Sequence, residues 1–190
     1  MGRPRSESSR EAILEAAFKL LVERGYGGFA IEVVASAARC GKTTVYRWWR
    51  SKAELAVDAF FHATREELRL PDTGSAREDF RSQILELGVL LRGERGQALA
   101  AMLGGARTDP ALAKALGQRW LEPRRRWGFE RMSHAAATGE LRPGVEPTAA
   151  LSLLYGPLYA PLLFGGEIPA ADAIRAYLDL ACVGIFVDSG

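Results

Sequence analysis

A short stretch of the chain, residues 42–52, combines residue types and spacings that suit DNA binding. Val45 and Trp49 are four residues apart, so on a helix both side chains turn toward the same neighbouring helices. The polar side chains around them then face outward near the helix N-terminus, where a recognition helix meets base edges. These candidates for base contact are Lys42, Thr43, Thr44 and Arg47. The spacing therefore predicts a helix that reads a DNA groove.

Three further side chains in this stretch are candidates for phosphate contact. Tyr46 and Trp48 offer a phenol O–H and an indole N–H, which can donate to phosphate oxygens and position the helix without reading sequence. Lys52 lies in the first turn of the next predicted helix, where the helix dipole disfavours a cation. A phosphate bound jointly by that helix N-terminus and the lysine explains this placement. A solvated surface lysine is the alternative, and the surrounding pattern favours the phosphate.

The segments on either side of this stretch have the pattern of a helix-turn-helix. Two short predicted helices are separated only by residues 39–41, which is the length of a tight turn. A capping box, Ser8 with Glu11, begins the preceding helix, and a second one, Ser51 with Glu54, begins the following helix. The predicted spans are residues 8–24, 31–38, 42–49 and 51–70.

The chain beyond a turn at residues 71–75 also has helical periodicity, and no stretch alternates with the period of a β-strand. Pro123 is expected to break or restart one long helical region, because proline cannot donate the main-chain bond. The predicted spans are residues 76–91, 97–106, 111–138, 147–164 and 170–187. The predicted fold is all-α with about nine helices. A three-helix DNA-binding domain takes up residues 7–67 and a helical C-terminal domain residues 68–190.

The charge is distributed unevenly along the 190 residues. Residues 1–55 contain ten Lys and Arg against six Asp and Glu, whereas the remainder contains fifteen against seventeen. A mildly basic N-terminal part joined to a mildly acidic remainder suits a nucleic-acid-binding end attached to a domain with another role.

Several classes of protein are disfavoured by what the sequence lacks. No nucleophile elbow, P-loop or dinucleotide fingerprint occurs, and His62 and His134 are isolated, so no enzyme, metal site or cofactor is predicted. Cys40 and Cys182 have no CxxC spacing and are expected to be reduced thiols of a cytoplasmic protein. No run of about 18 apolar residues and no secretory signal is apparent, so no membrane association is expected.

Residues 43–55, with the sequence TTVYRWWRSKAEL, resemble the signature of the tetracycline repressor (TetR) family. In that family the pattern runs roughly Lys-x-Thr-Leu/Ile-Tyr-Arg/x-His/Arg-Phe/Trp-Pro-Ser-Lys-Glu-Glu-Leu. Residues 35–41 occupy the place of its Ala-x-x-Ala-Gly-Val-Ser segment, and the resemblance is strong over about residues 8–60. It implies an all-α homodimer that binds a palindromic operator and is released when a small molecule enters the C-terminal domain.

The resemblance also implies roles for individual residues. By position, Lys42, Thr43 and Thr44 reach bases, while Tyr46, Trp48 and Lys52 hold phosphates. Arg3 and Arg5 flank Pro4 and are either an arm lying along a groove or a disordered basic tail; both interpretations stay open.

Three departures from the family pattern bear on these contacts. Arg39 replaces the turn glycine, which costs about 1 kcal/mol if φ is positive there. Gly41 replaces a serine and keeps only a backbone N–H for DNA, and Phe29 and Ala30 replace a threonine pair that caps the second helix. These changes predict modest operator affinity. They also support an alternative hypothesis, a helical binding module that has lost DNA binding.

The C-terminal domain is expected to hold an effector, although the sequence does not identify it. Aromatic and sulfur side chains there are candidates for lining an apolar cavity, with an ordinary core as the alternative. They are Met102, Trp120, Trp127, Phe129, Tyr155, Tyr159 and Phe164. Arg124, Arg125 and Arg126 form either a contact for an anionic ligand or a solvated helix face, and the solvated face is favoured.

The last two predicted helices are apolar over much of their circumference and contain several small residues. We expect them to pair with their copies in a second protomer as an isologous four-helix bundle; a fully internal core is the alternative. The small residues are Ala149, Ala150, Gly156, Ala176, Ala181 and Gly184.

Overall fold

The computed structural model describes residues 3–64 and 71–187, with the side chains of residues 3–6 outside that description. These residues form helices joined by short loops, with one isolated β-bridge and no named strand among them, so the all-α prediction is confirmed. The helices are α1 (Arg3–Arg24), α2 (Ile31–Ala37), α3 (Lys42–Trp48), α4 (Lys52–Thr64), α5 (Ala76–Arg92), α6 (Glu94–Ala106), α7 (Pro110–Leu116), α8 (Glu122–Ala137), α9 (Pro147–Phe164) and α10 (Ala171–Ile185), with a π-helical turn at Gly117–Leu121.

The chain divides into two compact units. The first comprises residues 1–65 and 94–120, so α6 and α7 pack with α1–α4. The second comprises residues 66–93 and 121–190, with α5 in contact with α8, α9 and α10. The sequence prediction placed a functional boundary between residues 67 and 68. That boundary stays a prediction. The structure adds that α6 and α7 belong to the same compact unit as the helix-turn-helix.

The first helix starts earlier than predicted. The helix α1 begins at Arg3, so the expectation that Ser8 caps its N-terminus is wrong. Proline is well tolerated in a first helical turn because the main-chain N–H it lacks would have no partner there, and Pro4 occupies that turn. The predicted inward face of α1 is correct, since Ile13, Ala17 and Leu21 are fully buried.

The second capping box and the break in the long C-terminal helix are both present. Ser51 Oγ accepts from Glu54 N at 3.2 Å, and a Glu54 carboxylate oxygen accepts from Arg50 N at 2.9 Å. The predicted end of this helix near residue 70 lies outside the described residues. The predicted span 111–138 is divided into α7, the π-helical turn and α8, and Pro123 lies in the first turn of α8.

A buried ion pair joins α5 to α8 in the second unit. Asp79 is fully buried, and one of its carboxylate oxygens accepts from Arg131 Nε at 2.6 Å. Its other oxygen accepts from Thr73 N at 2.8 Å and Thr73 Oγ1 at 2.7 Å. Burial opposes ionisation of Asp79, but the hydrogen bonds from Arg131 and Thr73 outweigh it and lower the pKa of this carboxyl. The pair therefore fixes α8 against the start of α5.

The helices α9 and α10 leave apolar stripes uncovered. Their exposed or half-buried residues recur every three or four positions, which places them on one side of each helix. The stripes are Ala149, Leu153, Gly156, Ala160 and Leu163 on α9, and Ala173, Ala176, Leu180, Val183 and Gly184 on α10. Leu180 is 79% exposed and Leu163 is 61% exposed. Of the small residues predicted for an interface, Ala150 and Ala181 instead face the protomer core.

By length and composition alone, α9 is the one helix within residues 3–64 and 71–187 that is apolar enough to cross a membrane. The sequence interpretation expected no such segment. The sequence of α9 shows no uninterrupted apolar run, because proline, glycine and tyrosine residues interrupt it. The helix still meets the length and composition criterion because none of its 18 positions is charged.

Candidate nucleic-acid interface and effector cavity

The turn between α2 and α3 is closed by main-chain hydrogen bonds. Ala38 N donates to Val34 O at 2.8 Å, and Cys40 N donates to Ala35 O at 2.9 Å. Arg39 adopts a left-handed conformation with φ of 53° and is the one non-glycine residue with positive φ in the described part of the chain. An L-residue there carries roughly 1–2 kcal/mol of backbone strain. The turn geometry that usually requires glycine is thus retained with arginine in its place.

The helix α3 presents the face that its spacing predicts. Val45 is fully buried and Trp49, just past the helix end, is 2% exposed. Thr44 is half-buried, while the remaining polar and aromatic side chains of the helix are exposed. The exposed set is Lys42, Thr43, Tyr46, Arg47 and Trp48. Gly41 precedes α3 as an exposed, extended N-cap without a side-chain hydrogen bond. One surface therefore carries seven of the predicted DNA contacts.

Lys42 is not a bare cation on this surface. Its ammonium forms an ion pair with the exposed Glu32 carboxylate of α2 at 3.0 Å. A hydrogen bond from the backbone N–H of Glu32 itself, followed by the hydrogen bond from Lys42, lowers the pKa of this carboxyl. DNA phosphates would therefore meet a neutralised pair, and Lys42 has to leave Glu32 to contact DNA fully.

Asp58 of α4 anchors the end of α3. One Asp58 oxygen accepts from Trp49 Nε1 at 2.7 Å, and the other accepts from Arg119, which lies in the π-helical turn. The guanidinium of Arg10 on α1 lies 3.6 Å from Asp58 and 5.9 Å from the centroid of the Trp48 ring. The sequence analysis missed Asp58 and Arg10, because their partners are distant in sequence. Arg10 adds a basic group beside the exposed indole of Trp48.

Lys52 is half-buried, and its ammonium contacts main-chain carbonyls. Its ammonium donates to Tyr26 O at 3.2 Å and Phe29 O at 3.4 Å, and it lies 4.1 Å from the centroid of the Tyr26 ring. The alternative of a freely solvated lysine is therefore wrong. Lys52 fastens the start of α4 to the turn between α1 and α2.

Tyr26 also connects this turn to the junction of α6 and α7. Its hydroxyl donates to Asp109 Oδ2 at 2.6 Å, and Asp109 caps α7 by accepting from Leu112 N and Ala111 N. The hydrogen bond from Tyr26, with those from α7, lowers the pKa of Asp109. Gly105 permits the approach, because a Cβ there would lie 2.4 Å from the Tyr26 ring.

Arg3 and Arg5 belong to the helical backbone of α1, but their side chains lie outside the described residues. Ala30 caps α2 without a side-chain hydrogen bond, as the loss of the threonine pair predicts.

A cavity of about 510 Å³ lies between α8 and α9 in the second unit. Tyr155 and Tyr159 line it, together with Phe129 and the three consecutive arginines, Arg124, Arg125 and Arg126. The other residues predicted for a cavity lie elsewhere. Met102 and Trp120 are fully buried in the first unit, where Trp120 packs edge-on against Phe60, because α6 and α7 fold onto α4. Trp127 packs on Phe80 with ring centroids 5.0 Å apart, and Phe164, at the end of α9, is 87% exposed.

Two family models match the chain. Residues 13–59 match the model described as bacterial regulatory proteins, tetR family. Residues 70–181 match the model described as tetracyclin repressor-like, C-terminal domain. The first compact unit therefore contains residues from both matches, since α6 and α7 belong to the second match, whereas the second unit contains residues of the second match alone.

Similar proteins cover most of the chain. The uncharacterized HTH-type transcriptional regulator YdeS of Bacillus subtilis is 32% identical over 166 residues, which are 87% of this chain and 84% of that protein. The DNA-binding transcriptional repressor TetR of Mycobacteroides abscessus is 30% identical over 187 residues, 94% of this chain and 95% of that protein. The crystal structure of the TetR family transcription regulator SCO0332 is 34% identical, with a TM-score of 0.71 over 93% of this chain and 98% of that one.

Proposed function

The chain belongs to the TetR family of helix-turn-helix transcriptional regulators, and we propose that it is a repressor whose α3 reads a palindromic operator until a small molecule occupies the α8–α9 cavity. Membership of this family confirms that the chain is a DNA-binding regulator and not an enzyme. A DNA-binding regulator acts where the chromosome lies, and we propose a cytoplasmic location for this one.

The observation that carries the proposal is the division of α3 into a buried and an exposed face. Val45 and Trp49 hold the helix on its neighbours, which leaves Lys42, Thr43 and Arg47 on the exposed face that can enter a major groove, Lys42 on release from Glu32. We assign base contacts to these three and to the half-buried Thr44. Tyr46 and Trp48 donate to phosphates on either side of the groove.

Lys52, Gly41 and the N-terminal arginines have supporting roles in this proposal. A lysine ammonium has three N–H donors, and the two carbonyl contacts of Lys52 leave one for a phosphate. Gly41 offers its backbone N–H at the start of α3. Arg3 and Arg5 are proposed to extend the basic surface along the DNA backbone.

A helical module without DNA binding is the competing function, and the geometry of the turn argues against it. Arg39 takes the left-handed conformation that the motif needs, and Gly41 takes the extended one. The departures from the family pattern thus remove individual contacts but leave α3 presented. Reduced operator affinity is the consequence that we expect.

The uncovered stripes of α9 and α10 support a homodimer. Two copies that pair these stripes form a four-helix bundle, and the small residues allow the helices to approach closely. A Cβ added at Gly156 or Gly184 would meet no atom within 4 Å in the single protomer, so both sites have room for a facing helix. A homodimer carries two copies of α3, which matches the two halves of a palindrome.

Binding of the full-length protein to a labelled duplex from upstream of its own gene tests the proposal. Fluorescence anisotropy should give salt-sensitive binding, with Lys42→Ala and Tyr46→Phe each weakening it by roughly three- to thirtyfold. Lys19→Ala is the matched control, because Lys19 is an exposed lysine of α1 outside the α3 surface. Equal affinity for a random duplex at physiological salt would contradict operator recognition and favour the module without DNA binding.

A further inference from the structure

We propose that the effector of the α8–α9 cavity is an anionic molecule, a carboxylate on an apolar body of one or two rings, and that Arg124 binds the carboxylate. This inference rests on the proposed function only in calling the molecule an effector, since the site itself can be tested without DNA.

The lining of the cavity combines a strongly basic side with an apolar side. Three arginines and one acidic residue, Glu122, line the α8 part of the wall. Phe129, Leu121 and Leu151 supply apolar surface. Clefts that combine one sign of charge with low-dielectric walls concentrate ligands of the opposite charge. The composition of this wall therefore selects a molecule with an anionic end and an apolar remainder.

Arg124 is the arginine that the fold encloses. It is half-buried on α8, whereas Arg125 and Arg126 are exposed. Burial lowers the pKa of the Arg124 guanidinium, and the phenols of Tyr159 and Tyr155 on α9 lie near enough to interact with it. A partly desolvated cation gains more from a bound anion than an exposed one does, because water competes less for both. Arg124 is thus the group that distinguishes a carboxylate from a neutral ligand.

Tyr155 defines the cavity wall without competing for the anion. Its hydroxyl donates to Gln83 Oε1 at 2.7 Å, so its proton points at α5. Burial raises the pKa of Tyr155, and the phenol therefore stays neutral at physiological pH. A neutral, fixed ring presents its apolar face to the ligand, which suits an aromatic or alicyclic body. A volume of about 510 Å³ accommodates a molecule of this size.

The exposed arginines provide the internal control. Arg125 and Arg126 also line the cavity, but their side chains are exposed, so salt and water screen them. They raise the rate at which anions arrive but contribute little to the bound state. Replacing Arg125 removes the same formal charge as replacing Arg124, one residue away. A difference in ligand binding between the two variants therefore reports the difference in burial of the two arginines.

The test is isothermal titration of the full-length protein, without DNA, with three carboxylates and their primary amides. The probes are benzoate with benzamide, 2-naphthoate with 2-naphthamide, and cyclohexanecarboxylate with cyclohexanecarboxamide. We expect at least one carboxylate to bind about tenfold or more tightly than its amide, as a charge-assisted hydrogen bond implies. In Arg124→Gln this preference should disappear, in Arg124→Lys it should persist in part, and in Arg125→Gln it should change less than about threefold.

Three outcomes would overturn the inference. They are no carboxylate binding below about 1 mM, equal binding of acid and amide, and equal loss of preference in Arg124→Gln and Arg125→Gln. Thermal unfolding of Arg124→Gln shows whether it is folded, and Arg124→Lys serves as the second variant if it is not. Release of labelled operator is measured separately. A carboxylate that binds through Arg124 but leaves the operator complex intact supports the anion site and refutes its role as effector.

Discussion

Replacement of Lys52 by methionine separates the two roles that this residue combines. The methionine side chain keeps an unbranched apolar stem of similar length and can still lie against the Tyr26 ring. It lacks the ammonium that donates to Tyr26 O at 3.2 Å and to Phe29 O at 3.4 Å. The change therefore removes the charge with little change in packing volume.

The effect on stability follows from these contacts. A hydrogen bond to a charged group contributes about 1.5–3 kcal/mol net, and a cation over an aromatic ring about 0.5–1 kcal/mol at an exposed site. In the variant, Tyr26 O still accepts from Phe29 N at 3.3 Å, and water replaces part of the hydrogen bonding that the two carbonyls lose with the ammonium. We expect the free energy of unfolding to fall by about 2–3 kcal/mol, which lowers Tm by roughly 4–12 °C for a chain of this size.

The effect on DNA binding is measured in the same variant. If the third N–H of Lys52 holds a phosphate, Lys52→Met reduces the slope of log Kobs against log salt by about 0.9. Urea unfolding and a salt titration of operator binding give the two quantities independently. Lys19→Met is the control for both, because Lys19 is an exposed lysine whose ion pair with Glu23 is also exposed.

The outcomes are separable. A change in unfolding free energy below about 0.5 kcal/mol would refute the anchoring role, since that is the range of ordinary surface substitutions. A loss of stability with an unchanged salt slope would retain the anchor and refute the phosphate contact.

Four other substitutions have expected outcomes. Asp79→Ala should lower the free energy of unfolding by about 3–5 kcal/mol in urea titrations, because it leaves Arg131 buried without its main partner. The folded-state pKa of Asp79 lies below its ordinary 3.8, so its contribution to the free energy of unfolding should be complete at neutral pH and disappear as pH falls below about 4. Acid titration of the wild type and of this variant measures that contribution. Glu32→Gln should release Lys42 and tighten operator binding about two- to fivefold by anisotropy, and weaker binding would contradict the ion-pair argument. Arg39→Gly should raise the free energy of unfolding by roughly 0.5–1 kcal/mol, as relief of the left-handed strain exceeds the added chain entropy, and a loss of stability would show that the side chain stabilises the turn. Leu180→Arg should convert the dimer to a monomer in sedimentation at micromolar concentration, and an unchanged sedimentation coefficient would exclude this stripe as the interface.

The exposed face of α3 was largely predictable from sequence because it depends on local spacing. The four-residue interval between Val45 and Trp49 fixes which face of α3 is buried, whatever the rest of the chain does. Asp58 and Asp109 had no such signal. Their contacts with Trp49, Arg119 and Tyr26 span 9 to 83 residues, and no local period records a contact across that distance.

The cavity was less accessible because apolar side chains look alike in a core and in a ligand site. Trp120 and Tyr155 have similar helical contexts, yet one packs on Phe60 and the other faces a cavity. The difference lies in tertiary packing. Trp120 is buried because the helices around it pack on α4, and no local sequence pattern shows which helices do so. Arg124 was assigned to a solvated face for the related reason that charge alone does not report enclosure.

The discontinuity of the first compact unit limits how this regulator can be recombined. Residues 94–120 return to cover α4 after the chain has left that unit, and they bring Leu99, Met102 and Trp120 into its interior. A chimera that exchanged residues 1–65 alone would join a foreign α4 to these side chains and leave mismatched apolar surfaces. An exchange of the α3 surface therefore has to include α6 and α7, and a workable chimera needs breakpoints on both sides of residues 66–93 and a third after residue 120.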